Sequence, residues 1–194
     1  MQISSEQPDL SPLARIFRRR WSGPILAMLA DPATARSGRA RLGAMAATLG
    51  AAPHIARATV ADLRDLGLVE PDTAHGHPLR PELGLTALGL TVGPGFIELD
   101  ARLGELDLRE IGYRKWSLPT LGAVGEGPAR FGVMAGSLTP VTDRALSLAL
   151  GDLVGAGLVE RGVVNAAPPR PVYASTRAGL PLAQTARDLA RALN

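Results

Sequence analysis

The strongest constraint on this chain is internal repetition: four blocks of sequence recur in the same order at nearly constant spacing. "WSGPIL" from Trp21 to Leu26 returns as "WSLPTL" from Trp116 to Leu121, and "GRARLGAMAATL" from Gly38 to Leu49 returns as "GPARFGVMAGSL" from Gly127 to Leu138. "DLRDLGLVE" then faces "DLVGAGLVE", aligning Asp62 with Asp152, and "LTALGL" faces "STRAGL", aligning Thr86 with Thr176. A spacing of about 90 residues implies that each repeat is a small domain with its own core, close to the lower size limit for independent folding. The spacing changes only in "DPATARS" and where "GAAP" faces "TPVT", turn-like stretches in which insertions are tolerated. The sequence therefore predicts two domains, 1–106 and 107–194, divided near Asp107. No long Gly/Ser linker separates them, so they are expected to pack on each other.

Hydrophobic residues make up 46% of the 194 positions and aromatics only 4%. A core built from Leu, Val and Ala favours close-packed helices over an aromatic-rich sandwich. The net charge is +3, and its basic side is almost all arginine, Lys115 being the only lysine. Arginine abundance alone fits a GC-rich coding sequence, so a phosphate-binding role has to rest on positions. The absence of cysteine excludes disulfides, thiol switches and Cys-based zinc sites. "MQISSEQPDL" has none of the features of a signal peptide, and apolar runs such as "GPILAMLA" are too short to span a bilayer. The expectation is a soluble cytoplasmic protein with no membrane partner.

The second repeat gives the clearer structural reading. Ser117 and Pro119 are expected to open a helix, with Ser117 as its cap, that ends at "GEGP". A short helix follows with Phe131, Met134 and Leu138 on one face, and then a turn at Thr139 and Pro140. Thr142 caps the next helix, Leu146, Leu150 and Leu153 form its apolar stripe, and Gly157 ends it. "LVERGVV" and "RPVYAS" read as strands around "NAAPP", and "AGLPLAQTARDLARAL" as a final helix. Helix, short helix, helix and β-hairpin make a winged helix-turn-helix. The predicted class is mainly α with small β-hairpin wings, two tandem winged helix-turn-helix domains.

The segment "KWSLPTL…GPARFGVMAGSL…LGDLVGAGLVERGVV…PPRPVYASTRAGLPL", from Lys115 to Leu182, resembles the HxlR branch of the MarR-like winged-helix regulators. The family's marks are a Lys-Trp opening, Gly-x-x-Arg-Phe, a Leu-x-x-Leu-x-x-x-Gly-Leu-Val helix exit and a Pro-Pro-x-x-x-Tyr-x-x-Thr-x-x-Gly wing. The first half keeps Trp21, Arg41, Leu63, Gly67 and Thr86 through Gly89, but has Leu42 in place of the Phe and lacks the wing tyrosine. The resemblance implies a transcriptional regulator that places recognition helices in the DNA major groove as a dimer. A tandem chain would do so as one molecule on half-sites about one helical turn apart.

It also nominates the contacts to double-stranded DNA. In the second domain these are Thr142, Arg144 and Ser147 on the recognition helix, although Leu148 and Ala149 stand where polar residues are usual. The matching stretch "APHIARATV" of the first offers His54, Arg57 and Thr59. Arg41 and Arg130 begin the short helices, where phosphate is commonly held, and Arg161 and Arg170 flank the second wing. Arg80 and the histidines His75 and His77 lie in the first wing. The second domain, with the fuller motif set, is expected to contribute more. Residues 1–100 carry ten arginines against ten acids, a weak basic balance for a DNA binder. The alternative is a winged-helix module for protein interaction or small-molecule sensing, with weak or no DNA binding. The two tryptophans are expected to be largely buried. Any effector is expected to be a small apolar or aromatic molecule held between the halves, and further self-association stays open.

Enzymatic chemistry finds no support. "GEGPARFG" lacks the Gly-Lys-Ser/Thr of a phosphate loop, no Gly-x-Ser-x-Gly elbow exists, and His75 with His77 supplies at most two metal ligands. No cofactor, metal or catalytic residue is expected.

Overall fold

The computed structural model describes residues 8–36, 40–77, 80–125, 127–164 and 170–194, with backbone only at 35, 36, 73–77, 80, 81 and 164. The chain divides into two compact units, Ile16–Arg109 and a second made of Met1–Arg15 with Glu110–Asn194. The short helices α1 (Ser11–Ile16) and α7 (Arg109–Gly112) lie across these divisions. The sequence had placed the whole N-terminus in the first domain. The structure instead seats the described N-terminal residues in the C-terminal unit. A Cβ on Gly122 would meet Leu10 at 3.0 Å, Ser11 Oγ donates to the Thr139 carbonyl (2.9 Å), and Asn194 Nδ2 donates to that of Asp9 (2.9 Å).

Unit Ile16–Arg109 runs through helices α2 (Ser22–Ala30), α3 (Pro32–Arg36), α4 (Leu42–Leu49) and α5 (Pro53–Asp65), the antiparallel strands β1 (Val69–His77) and β2 (Arg80–Leu85), and the long helix α6 (Ala87–Glu105). Its core holds Ile25, Leu26, Met45, Leu63 and Leu68, together with Phe17 and Phe96, whose rings lie 6.1 Å apart and tilted by 60°.

In the other unit a similar order, without a counterpart of α3, runs through α8 (Ser117–Val124), a two-residue strand β3 (Ala129–Arg130), α9 (Phe131–Ser137), α10 (Asp143–Gly155), β4 (Val159–Val164), β5 (Arg170–Ser175) and α11 (Gly179–Leu193). The strands form an antiparallel sheet in the order β3-β5-β4. β3 is too short to stand out in the sequence. At the matching place in the other unit, the Leu83 amide donates to the Ala40 carbonyl (3.0 Å). The hairpin tip "NAAPP" lies outside the described residues.

Local chemistry explains the helix ends. Thr142 Oγ1 accepts from the Ala145 amide (3.2 Å), as expected of the cap of α10. Ser117 is not the cap of α8. Trp116 holds that position without a side-chain bond, and the Ser117 hydroxyl is buried with no partner. Gly67 and Gly157, both at φ +70°, turn the chain out of α5 and α10 into the wings.

Each wing then meets its last helix at the same kind of junction. Thr176 Oγ1 donates to the Gly157 carbonyl (2.7 Å) and accepts from the Gly179 amide (3.1 Å), while the Thr176 amide donates to the Leu158 carbonyl (3.0 Å). Thr86, Gly67, Gly89 and Leu68 make the matching bonds at 2.6, 3.1 and 3.2 Å. A Cβ on Gly179 would fall on the Leu158 carbonyl oxygen, and one on Gly89 on that of Leu68. Gly179→Ala is therefore expected to cost about 3 kcal/mol, because overpacking here displaces backbone. Thr176→Ala, which loses the two hydroxyl bonds to Gly157 and Gly179 but displaces no backbone, should cost about 1–2 kcal/mol. Urea denaturation of the two variants checks this order.

Candidate nucleic-acid interface

Helical spacing sorts the residues of α10. Leu146, Ala149, Leu150 and Leu153 face the core, while Arg144, Ser147, Leu148, Gly151 and Val154 share the opposite, solvent-exposed face. Ala149, read from the sequence as outward, is buried, since it lies three residues from Leu146 and joins its stripe. Leu148 is 61% exposed beside Ser147. The external face thus holds one guanidinium and one hydroxyl among apolar and small residues. Thr142 is exposed just ahead of it, its oxygen already engaged as the cap.

The face of α5 is more basic. His54, Arg57, Ala61 and Arg64 are exposed and spaced three or four residues apart. Arg64 was missed in the sequence reading, though its position two turns after Arg57 announces it. Thr59 belongs to the other side: it is fully buried, and its hydroxyl donates back to the Ile55 carbonyl (2.8 Å). Exposed positive charge on these two helices therefore does not follow the completeness of the family motif.

Arg41 and Arg130 precede α4 and α9 in extended backbone, as the repeat aligns them. Their surroundings differ. Arg41 Nε lies 3.2 Å from Glu82, whose side chain is only 10% exposed, so this guanidinium is committed to the first wing. Arg130 sits opposite Val172 in the β3–β5 pair and has no ion pair among the described residues. Arg161 and Arg170 are both exposed, on β4 opposite Tyr173 and at the start of β5 opposite Val164. The backbones of Arg80, His75 and His77 lie in the first wing, but their side chains fall outside the described residues.

The repeated tryptophan phrase organises the buried side of each helix-turn-helix. Trp21 and Trp116 are half-buried rather than largely buried, and each has a cation against its ring. The Arg20 guanidinium lies 4.6 Å from the Trp21 ring and the Lys115 ammonium 4.9 Å from that of Trp116. Trp21 packs on Ala46, Ala51 and Ala56, which come from α4, the following turn and α5. Two residues before each tryptophan an arginine reaches the second helix of the motif: Arg19 Nε meets Asp62 at 2.7 Å, and Arg114 Nη1 meets Asp152 at 2.7 Å. The hydrogen bond and charge of Asp152 push the Arg114 pKa up from an already high value, so this guanidinium keeps its charge.

Among the described residues, no three His, Cys, Asp or Glu side chains gather as a metal site, and no helix is long and apolar enough to cross a membrane. Trp21→Ala should cost about 2 kcal/mol through lost packing. Arg20→Ala, removing only the exposed cation, should cost about 0.5 kcal/mol. Thermal unfolding of both variants checks the comparison.

Residues 111–192 match the family model described as the HxlR-like helix-turn-helix. Two solved structures are similar to part of the chain. One, from Porphyromonas gingivalis W83, is named as a transcriptional regulator of the MarR family. It is 23% identical with a TM-score of 0.39, covering 42% of this chain and 80% of that one. The other, named likewise, is from Enterococcus faecalis V583, at 26% identity and a TM-score of 0.38, covering 48% of this chain and 80% of that one. No curated protein matches the chain.

Proposed function

We propose, from the HxlR-like domain of residues 111–192, that this chain is a DNA-binding transcriptional regulator working as a single-chain pseudo-dimer of two winged helices. The observation that carries the reading is the exposed face of α10 with its wing, where Arg144, Ser147, Arg161 and Arg170 all reach solvent in a helix-turn-helix of the matched family. Support for a second DNA-binding copy comes from the recurring element order, the two Thr–Gly junctions and the two Arg–Asp latches. Arg144 and Arg130 are assigned to phosphate, and Thr142 and Ser147 to base edges or sugar. On the first unit the contacts are His54 and Arg57, joined by Arg64. Arg41 contributes less, because Glu82 already neutralises it.

Base readout by this surface is sparse, since bidentate discrimination calls for Arg, Asn or Gln on the helix face. Specificity then rests on the wings and on DNA shape. The proposed partner is double-stranded DNA in the cytoplasm, with a small-molecule effector and further self-association as additional features of the same reading.

The test is fluorescence anisotropy on duplex DNA from upstream of the protein's own gene, across a salt series. Arg144→Ala and Arg57→Ala should each weaken binding about tenfold and lower the salt slope by about one unit. Equal losses support two contributing units, and a loss confined to Arg144→Ala leaves only the second. Absence of binding at low salt sinks the regulator reading.

One observation favours the second reading, a protein-interaction module. Leu148 and Val154 place exposed apolar surface on α10, at 61% and 38%. Under that reading Leu148→Asp leaves DNA affinity at zero and changes only partner capture.

A further inference from the structure

We propose that Arg18 and Arg20 hold the phosphate backbone of duplex DNA on the opposite side of the groove from Arg57 and Arg64, so that α5 lies between two rows of guanidiniums. This second row rests on the regulator reading and adds residues that lie ahead of the helix-turn-helix. All four arginines belong to unit Ile16–Arg109.

Two contacts lay the tract 18–21 against α5. Arg19 Nε meets Asp62 at 2.7 Å, toward the C-terminal end of the helix. Trp21 packs on Ala51 and Ala56, just before the helix and in its first turns. Arg18 and Arg20 are exposed on either side of Arg19 in the chain, and Arg18 has no ion pair among the described residues. The Trp21 ring, 4.6 Å from the Arg20 guanidinium, restrains that side chain without neutralising it. At 3.6 residues per turn, Asp62 stands roughly 150° around α5 from both Arg57 and Arg64. The tract held by Asp62 therefore borders one edge of the exposed face, and Arg57 with Arg64 the other.

Acids around this face are few. From Ala40 to Ala61, which spans α4, the turn and most of α5, the chain has no Asp or Glu. Asp62 is engaged by Arg19, and Asp65 lies exposed one residue beyond Arg64. Residues 35–39 and 73–81, whose side chains lie outside the described set, contain no acid either. Segment 18–20 with α5 thus carries five arginines against two aspartates. At the repeat position of Arg18 the C-terminal unit has Tyr113, which is buried, so residues 113–115 with α10 carry three cations against two aspartates. Two cationic rows at the edges of one helix match the two strands that border a major groove, about 12 Å wide. An acidic peptide, with a single line of charge, would engage one row. Contacts to phosphate position the helix and carry no base information, which suits a face poor in base-reading side chains.

Fluorescence anisotropy of the full chain on two labelled duplexes tests this, one from upstream of the protein's own gene and one of scrambled sequence, between about 50 and 200 mM salt. Arg18→Gln/Arg20→Gln should weaken both duplexes equally, on the order of a hundredfold, and lower the salt slope by about two units. Arg18→Lys/Arg20→Lys, which keeps both charges, should hold the slope near its original value. Circular dichroism reports folding; should the Gln pair fail to fold, Arg18→Gln alone decides, with an expected loss of about tenfold and one unit of slope. An unchanged slope in a chain that still binds DNA overturns the second row and leaves the regulator reading standing. No binding of either duplex by the unaltered chain at low salt removes the regulator reading, and this row with it. A loss confined to the upstream duplex also overturns it, because that marks base reading. So does an equal loss in the Lys pair, which marks a structural role. Binding of polyglutamate that the Gln pair abolishes, while duplex binding is unchanged, overturns it in favour of an acidic protein partner.

Discussion

On each unit the wing and the last helix are locked to one another by a close backbone approach and a threonine bonded on both sides. Gly179 lies so close to the Leu158 carbonyl that no side chain fits between them, while Thr176 bonds to Gly157 on one side and to Gly179 on the other. Three elements meet within those few atoms: the end of α10, the first residue of the wing and the start of α11. The angle at which α10 presents Arg144 and Ser147 follows from it. Thr86 and Gly89 do the same for α5 and α6. A local hydrogen-bond pattern of this kind is cheap in sequence, two residues three apart, yet it fixes the relation of elements far apart along the chain.

A second constraint decides which arginines remain available. Arg19, Arg41, Arg102, Arg109, Arg114 and Arg191 are each bound to a carboxylate within the fold. Arg57, Arg64, Arg130, Arg144, Arg161 and Arg170 carry no ion pair among the described residues. The low net charge of +3 therefore understates the chemistry, because it averages committed and uncommitted cations. An incoming phosphate meets the uncommitted arginines rather than the paired ones. The paired arginines serve architecture: Arg19 and Arg114 tie the approach to each tryptophan to the helix that follows in the motif.

The surface of α10 then poses a physical choice. Arg144 and Ser147 share it with Leu148, Gly151 and Val154. A glycine on this face permits close approach of a backbone, and a leucine can rest on a thymine methyl or on another protein. Guanidiniums at the rim steer a polyanion irrespective of what the centre reads. A regulator with broad, shape-dependent recognition is compatible with such a face, and so is an interaction surface with charged edges.

Patterns of period and punctuation were legible in the sequence. The apolar stripe of α10, the capping role of Thr142, the turn at Gly157 and the two strands of the second wing all stand where spacing and residue type put them, because they depend on neighbours within a few positions. Arg64 was legible by the same rule and went unread. What the sequence by itself determined is the recurring order of elements and the motif of residues 111–192. Only the tertiary structure decided the rest. It placed Leu10 against Gly122 in the C-terminal unit, turned Ala149 and Thr59 inward, and gave Arg41 to Glu82 while leaving Arg130 unpaired. The reason is range: a helical period reports which residues share a face, whereas ion pairing and burial depend on partners brought in from distant segments.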